Sequence, residues 1–428
     1  MCCKLLESMI KDDLMRHLEE NKLLNRSQHG FMPGRSCTTN LLEAMEFVTK
    51  AADDGEPVDM IYLDFAKAFD KVPRLRLMEK LRAHRVGGNI HRWILNWLTD
   101  RRQRVVLNGT ASDWAPVKSG VPQGSVLGPI LFLVYINDLD TAAAEIDLLK
   151  KFADDTKAGQ RVGTEEKRRA LQAALDGFGD WAKKWQMEFN VKKCKTVHFG
   201  HNNPHQEYRL NGQAIGRATE EVDVGVTISK NMKPSLQCAK AARTAQAVLG
   251  QLARAFHYRD RHVFIRLYTQ YVRPHLEFAT PVWNPWSQAD IDCIEKVQRR
   301  AVAMVSGLAG ASYKERLDEL DMIKMEERRH QSDMVQTYKI LHSKEDVDAA
   351  TWFGMAAATG RATRAAADPL NLRIPVNRLE VRKNFFSQRV PRLWNDIPAE
   401  LKNVQTTDAF KRGYRRLRRQ RPPPGGDE

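Results

Sequence analysis

Two short apolar runs end in acid. Val58-Asp59-Met60-Ile61-Tyr62-Leu63 leads into Asp64, and Leu148-Leu149-Lys150-Lys151-Phe152-Ala153 leads into Asp154-Asp155 about 90 residues later. Each run is rich in β-prone residues and bounded by turn formers, the pattern of a strand. If the two strands are neighbours in one sheet, three carboxylates converge at its edge, and their mutual repulsion calls for a cation. Magnesium suits the place, with manganese as the alternative, because it takes hard oxygen ligands and completes its shell with water or substrate phosphates. Two such ions ~3.5–4 Å apart can activate an attacking hydroxyl and stabilise a leaving pyrophosphate, which is phosphoryl-transfer chemistry. The bland alternative is a solvated hairpin turn, which Asp-Asp also favours.

Elements able to position these acids follow from periodicity and punctuation. Helices are expected over 5–24, 41–54, 74–84, 90–98 and 164–185, with a further apolar one over 129–139 started by Pro129. Strands are expected over 58–64, 104–107 before the Asn108-Gly109 turn, 148–155, 196–199 and 222–228. This mixture makes the first ~230 residues one α/β or α+β unit. Beyond Lys230 the pattern turns almost purely helical, over 234–256, 262–271, 289–305 and 313–341. The Ala, Gly and Thr-rich stretch over 355–368 reads as a linker, and 369–428 as a basic region ending in a disordered Pro-Gly tail.

Composition narrows the partners. The chain has 428 residues, 42% of them hydrophobic, enough for sizeable cores. No apolar stretch approaches the ~20 residues of a spanning helix, and no signal peptide is visible, so no membrane partner is expected. Cys2, Cys3, Cys37, Cys194, Cys238 and Cys293 show no zinc spacing, which points to a reducing intracellular compartment, nucleus and cytoplasm being equally open. The net charge is +15, and sixteen Lys or Arg against five Asp or Glu lie between Arg361 and Arg421, a field suited to a polyanion. Trp181, Trp185, Trp283 and Trp286 can stack on bases, although Trp181 and Trp185 have the spacing of core positions.

Three segments in order, Tyr62-Leu63-Asp64-Phe65-Ala66-Lys67-Ala68-Phe69-Asp70, Ser119-Gly120-Val121-Pro122-Gln123-Gly124-Ser125 and Phe152-Ala153-Asp154-Asp155, resemble motifs A, B and C of reverse transcriptases of LINE-type non-LTR retrotransposons. Gln28-His29-Gly30-Phe31-Met32-Pro33-Gly34-Arg35-Ser36 is similar to a fingers motif. Asn190-Val191-Lys192-Lys193-Cys194-Lys195 is similar to motif D, and Val224-Gly225-Val226-Thr227-Ile228-Ser229 to the primer grip. Segments around Tyr271 to Asn284 and Arg392 to Pro398 resemble the thumb and tail of such elements.

The resemblance implies an α+β right-hand polymerase: partial fingers and a palm with a mixed or antiparallel sheet over 1–229, a helical thumb-like region over 230–354, and the basic C-terminal region. It implies RNA-directed DNA polymerisation on an RNA template and DNA primer from deoxynucleoside triphosphates, with two Mg2+ ions. Asp64, Asp154 and Asp155 become the catalytic and metal-holding acids. Lys193 becomes the general acid for departing pyrophosphate, with Lys192 and Lys195 competing for that part. Arg35, Phe65, Phe69, Gln123 and Gly124 become nucleotide-binding, Phe69 by excluding a 2′-hydroxyl. Asp70 is expected to be a structural cap or ion-pair partner. The chain is expected to start inside the fingers, lacking an upstream endonuclease, and the alternative function is a non-catalytic nucleic-acid-binding remnant of a decayed retroelement.

Overall fold

The computed structural model describes residues 2–143, 145–356 and 368–420. Most of the expected linker over 355–368 and the end of the expected tail, 421–428, lie outside the described residues. The chain divides into two compact units, Met1–Asn40 with Glu56–Thr219, and Leu41–Gly55 with Glu220–Glu428.

The first unit is built on a five-stranded mixed sheet. In chain order its strands are β1 (Val58–Leu63), β2 (Leu148–Phe152), β3 (Asp155–Arg161), β4 (Lys195–Phe199) and β5 (Gly216–Ala218), arranged β5-β4-β1-β3-β2. β1 pairs antiparallel with both β3 and β4, β2 pairs antiparallel with β3, and β5 runs parallel to β4. The expected strands at 58, 148 and 196 are all present. β3 escaped the sequence reading because Asp155-Thr156-Lys157-Ala158-Gly159-Gln160-Arg161 is mostly polar. It is nonetheless buried between β1 and β2, Lys157 and Gln160 included. Gln160 Oε1 accepts from the Asp147 amide at 2.8 Å, so its polarity is satisfied rather than solvated.

Helix Gly128–Ile136 runs through the core of this unit, buried at every residue but Pro129. An all-round apolar helix is stable only when covered on all sides. Helices Arg74–Ala83 and Glu165–Trp185 help cover it, the latter capped by Thr164, whose hydroxyl accepts from the Lys167 amide at 3.4 Å. The expected strand at 104–107 is two tiny hairpins, Arg102–Gln103 with Ala115–Pro116 and Val106–Leu107 with Thr110–Ala111.

The second unit contains a hairpin, Glu220–Asp223 with Val226–Ser229, and an isolated bridge between Met355 and Leu372, and its other described elements are helices. The expected helix over 313–341 is two helices, Tyr313–Glu319 and Met325–Leu341, because Asp321 turns left-handed at φ 52. Helices Phe386–Asn395 and Thr407–Gln420 pack against Met325–Leu341, so the described basic segment belongs to this unit rather than standing apart. Much of its charge is internally neutralised. Arg389 donates to the buried Asp333 carboxylate at 2.7 and 2.9 Å, and Arg382 donates to Glu46 at 2.5 Å and Thr49 at 3.0 Å. Trp394 is fully buried and its indole donates to the Leu370 carbonyl at 2.8 Å.

Candidate active site

Strand register brings the acids together. Leu63 pairs with Thr156 across β1 and β3, and Phe152 pairs with Asp155 across a two-residue turn of Ala153 and Asp154. Asp64 leaves β1 beside that turn. Its Oδ1 is buried without a hydrogen-bond partner, and its Oδ2 lies 3.7 Å from Lys193 Nζ. Burial pushes the Asp154 carboxyl above its ordinary range, and the charge of Asp64 adds to the rise. Two like charges held close, with an orphaned buried oxygen, form a donor set that a hard divalent cation fits. Asp155 heads β3 and is exposed. Among the described residues no group of three or more His, Cys, Asp or Glu is gathered to hold a metal.

The turn bearing Asp154 is clamped by the 27–30 segment. Gln28 Oε1 accepts from the amides of Gly30 at 2.8 Å and Ala153 at 2.9 Å, while its Nε2 donates to the Ala153 carbonyl at 3.3 Å. Ser27 and His29 bond to the main chain of Lys151 at 2.8 Å each, and Asn40 donates to the Lys151 carbonyl at 3.0 Å. A Cβ at Gly30 would collide with the Ala153 backbone, so only glycine permits this approach. The clamp matters because Ala153 sits at φ 54, a conformation a non-glycine residue adopts only when its surroundings impose it. Sequence reasoning placed 28–36 among the fingers and missed Gln28 as the positioning residue. The glycine two residues after a glutamine was the available signal.

A second loop holds Asp64 from the other side. The Asn190 amide donates to the Asp64 carbonyl at 2.8 Å, the Ala66 amide to the Glu188 carbonyl at 2.8 Å, and the Asp64 amide contacts Cys194 Sγ at 3.5 Å. Burial pushes the Cys194 thiol up, which keeps it a neutral acceptor there. Of the three lysines weighed, Lys193 makes the ion pair with Asp64, while Lys195 Nζ reaches the Lys192 carbonyl at 3.5 Å. Phe65, expected as a nucleotide-binding residue, is buried and stacks on Phe189 with centroids 4.2 Å apart, which gives its ring to the core.

Phe69 is half-buried and stacks on Phe132 at 4.4 Å, so the core helix fixes its ring. The Ser119 to Gly124 loop is sewn to the turn over 69–72. Ser119 Oγ donates to the Asp70 carbonyl at 2.8 Å, Gly120 to Val72 at 2.8 Å, Val121 to Phe69 at 2.9 Å, and Gln123 Nε2 to Asp70 Oδ1 at 3.4 Å. A Cβ on Gly120, at φ 86, would stand 2.6 Å from the Asp70 carbonyl oxygen. Asp70 therefore ties two loops together. Gln123 and Gly124 are exposed, and nothing lies within 4 Å of where a Gly124 Cβ would be. Arg35 donates to the carbonyls of Arg26 and, at 3.1 Å, Gln28, so its guanidinium braces the clamp segment.

Residues 1–234 match the family described as reverse transcriptase (RNA-dependent DNA polymerase), more than half of the chain. The chain belongs to the reverse transcriptase family. It is 26% identical over 319 residues to the RNA-directed DNA polymerase from mobile element jockey of Drosophila melanogaster, covering 71% of this chain and 34% of that protein. A probable RNA-directed DNA polymerase from transposon X-element of the same organism is 23% identical over 313 residues, with the same coverage. This reverse transcriptase chain thus spans about a third of the length of those relatives. An apo telomerase structure from Candida Tropicalis is similar at 12% identity and a TM-score of 0.41, covering 73% of this chain and 53% of that one. Among the described residues no helix is long and apolar enough to cross a membrane.

Proposed function

We propose that residues 1–229 are the fingers and palm, and the helical region over 230–354 with the basic segment after it the thumb and tail, of an RNA-directed DNA polymerase of a non-LTR retrotransposon. The observation that carries this reading is the meeting of Asp64 and Asp154 at adjoining strand ends, one with an orphaned buried oxygen and the other with its charged form disfavoured. Asp64 and Asp154 would hold Mg2+, with Asp155 next to them. Bound magnesium supplies activation of a primer 3′-hydroxyl and charge neutralisation on a deoxynucleoside triphosphate. The Gln28 clamp keeps Asp154 in register, since misplacement of a reacting group by about 1 Å costs about 100-fold in rate. Lys193, exposed beside Asp64, stands where its ammonium can give a proton to departing pyrophosphate. Phe69, held by Phe132, excludes a ribose 2′-hydroxyl, and the open Gln123-Gly124 edge admits the nucleotide with its template base.

Extension of oligo(dT) on poly(rA) with dTTP and Mg2+ tests the reading. Asp154→Asn is expected to slow extension by about 10²–10³-fold with the fold intact. Equal rates in the two proteins would remove Asp154 from the chemistry. Salt-sensitive RNA binding by the unaltered chain with no extension at all would replace the enzyme with the non-catalytic reading.

A further inference from the structure

The second unit contains a cavity of about 230 Å³ whose wall is crowded with guanidinium groups. Arg273 and Arg328 reach it from two neighbouring helical segments, and Arg415, Arg418 and Arg419 from Thr407–Gln420. The compensation available is thin. Arg273 and Arg328 share one carboxylate, Glu277, the former at 3.5 Å. Arg419 pairs with Asp321. Arg418 Nε is engaged only by the neutral Tyr414 hydroxyl at 3.0 Å, and Arg415 makes no ion pair among the described residues.

Two lining atoms are buried with no hydrogen-bond partner, Arg418 Nη2 and His330 Nδ1, and Arg273 Nε has only its 3.5 Å ion pair with Glu277. Unmet buried donors on charged groups are expensive, and each such group in a folded chain points to something that completes it. Burial and the neighbouring charge of Arg328 push the Arg273 guanidinium below its ordinary value, the sign of cations held together against their repulsion. Burial also drives His330 down, leaving a neutral ring that can donate or accept. Glu327, a further acid in the wall, is pushed up by burial, against the nearby charges of Lys324 and Arg418, and so compensates the cluster weakly.

We propose that this cavity is a phosphate-binding site. Its five arginines grip the oxyanion of a phosphomonoester or phosphodiester, and apolar Ile265, Leu320 and Ile323 line the side facing the group's organic part. Arginine forks match phosphate oxygens in pairs, and a phosphate would meet the orphaned Arg418 donor. The site lies wholly within the second unit, uses none of the residues around Asp64, and stands whether or not the chain polymerises DNA.

Isothermal titration calorimetry on the full chain decides it, with inorganic phosphate in one arm and a single-stranded 12-nucleotide RNA in the other. Arg273→Gln and Arg418→Gln are each expected to weaken binding at least about tenfold, and Arg415→Gln, on an exposed position that leaves packing untouched, about three- to fivefold. Arg169→Gln, at an exposed arginine of the first unit, should bind as the unaltered chain does. For RNA, loss of one pocket arginine should also lower the slope of log affinity against log salt by about 1. Binding in the phosphate arm assigns a site for free phosphate or a terminal phosphate, and binding in the RNA arm alone assigns a strand backbone. Equal affinities in Arg415→Gln and Arg418→Gln and the unaltered chain, or no binding in either arm, would overturn the proposal.

Discussion

The two ends of β1 each carry a buried or half-buried aspartate, five positions apart, and treat them in opposite ways. Asp59 is fully buried, and its carboxylate accepts from His198 Nδ1 at 2.6 Å, Asn203 Nδ2 at 2.7 Å and the Tyr208 hydroxyl at 2.7 Å. Burial and the charge of Asp59 push the Tyr208 hydroxyl up, so it stays a donor. Asp64, at the other end, keeps an oxygen buried and unpartnered while a second carboxylate, Asp154, is held nearby. A carboxylate with its acceptor sites filled from within the chain is a structural group. One left unfilled next to a like charge is, on the proposed function, the place for a cation.

That contrast predicts a double dissociation. Asp59→Asn removes a charged acceptor from three donors and should destabilise the chain by about 2–4 kcal/mol in urea unfolding, with extension activity per folded molecule retained. Asp64→Asn should leave stability within about 0.5 kcal/mol, because its partner Lys193 is exposed and such a pair contributes little. It should abolish extension all the same. Two variants with the same stability loss, or an inactive but stable Asp59→Asn, would dissolve the distinction between the two ends.

The pair at the functional end also sets a smaller, pH-dependent effect. Asp154 is raised above its ordinary 3.8 in the folded chain. Between that value and the raised one, the native chain keeps a proton that the unfolded chain has released, so its stability falls as pH rises through the window. Asp154→Asn should remove this slope in the metal-free protein and raise Tm at pH 7 by about 2 °C, measured by thermal melts across pH 4–8. A lower Tm for the variant at pH 7 would mean that the native site favours the charged carboxylate.

The central geometry was legible because strand ends and acids advertise themselves locally. Apolar runs ending at Asp64 and Asp154 needed only to be neighbours, and the sheet order makes β3 the bridge between them. β3 itself was illegible, since a central strand carrying Lys157 and Gln160 breaks the expected apolar pattern and is rescued by partners elsewhere in the chain. The same holds for Gln28 and Asp59. Their side-chain types suggest solvent, and only long-range contacts, to Ala153 in one case and to 198–208 in the other, reveal them as a clamp and a structural acid. Arg382 and Arg389 read as part of a basic field for nucleic acid, yet each is bound to an internal carboxylate. Composition counts charges but cannot see which are paired.

Mn2+ binding followed by electron paramagnetic resonance, with no nucleic acid or nucleotide present, addresses the shared carboxylate site without depending on turnover. The unaltered chain and Asp59→Asn should bind Mn2+ with the same affinity, while Asp64→Asn and Asp154→Asn should each weaken it at least about tenfold. Undiminished Mn2+ affinity in both of the latter variants would contradict the joint holding of a cation by Asp64 and Asp154.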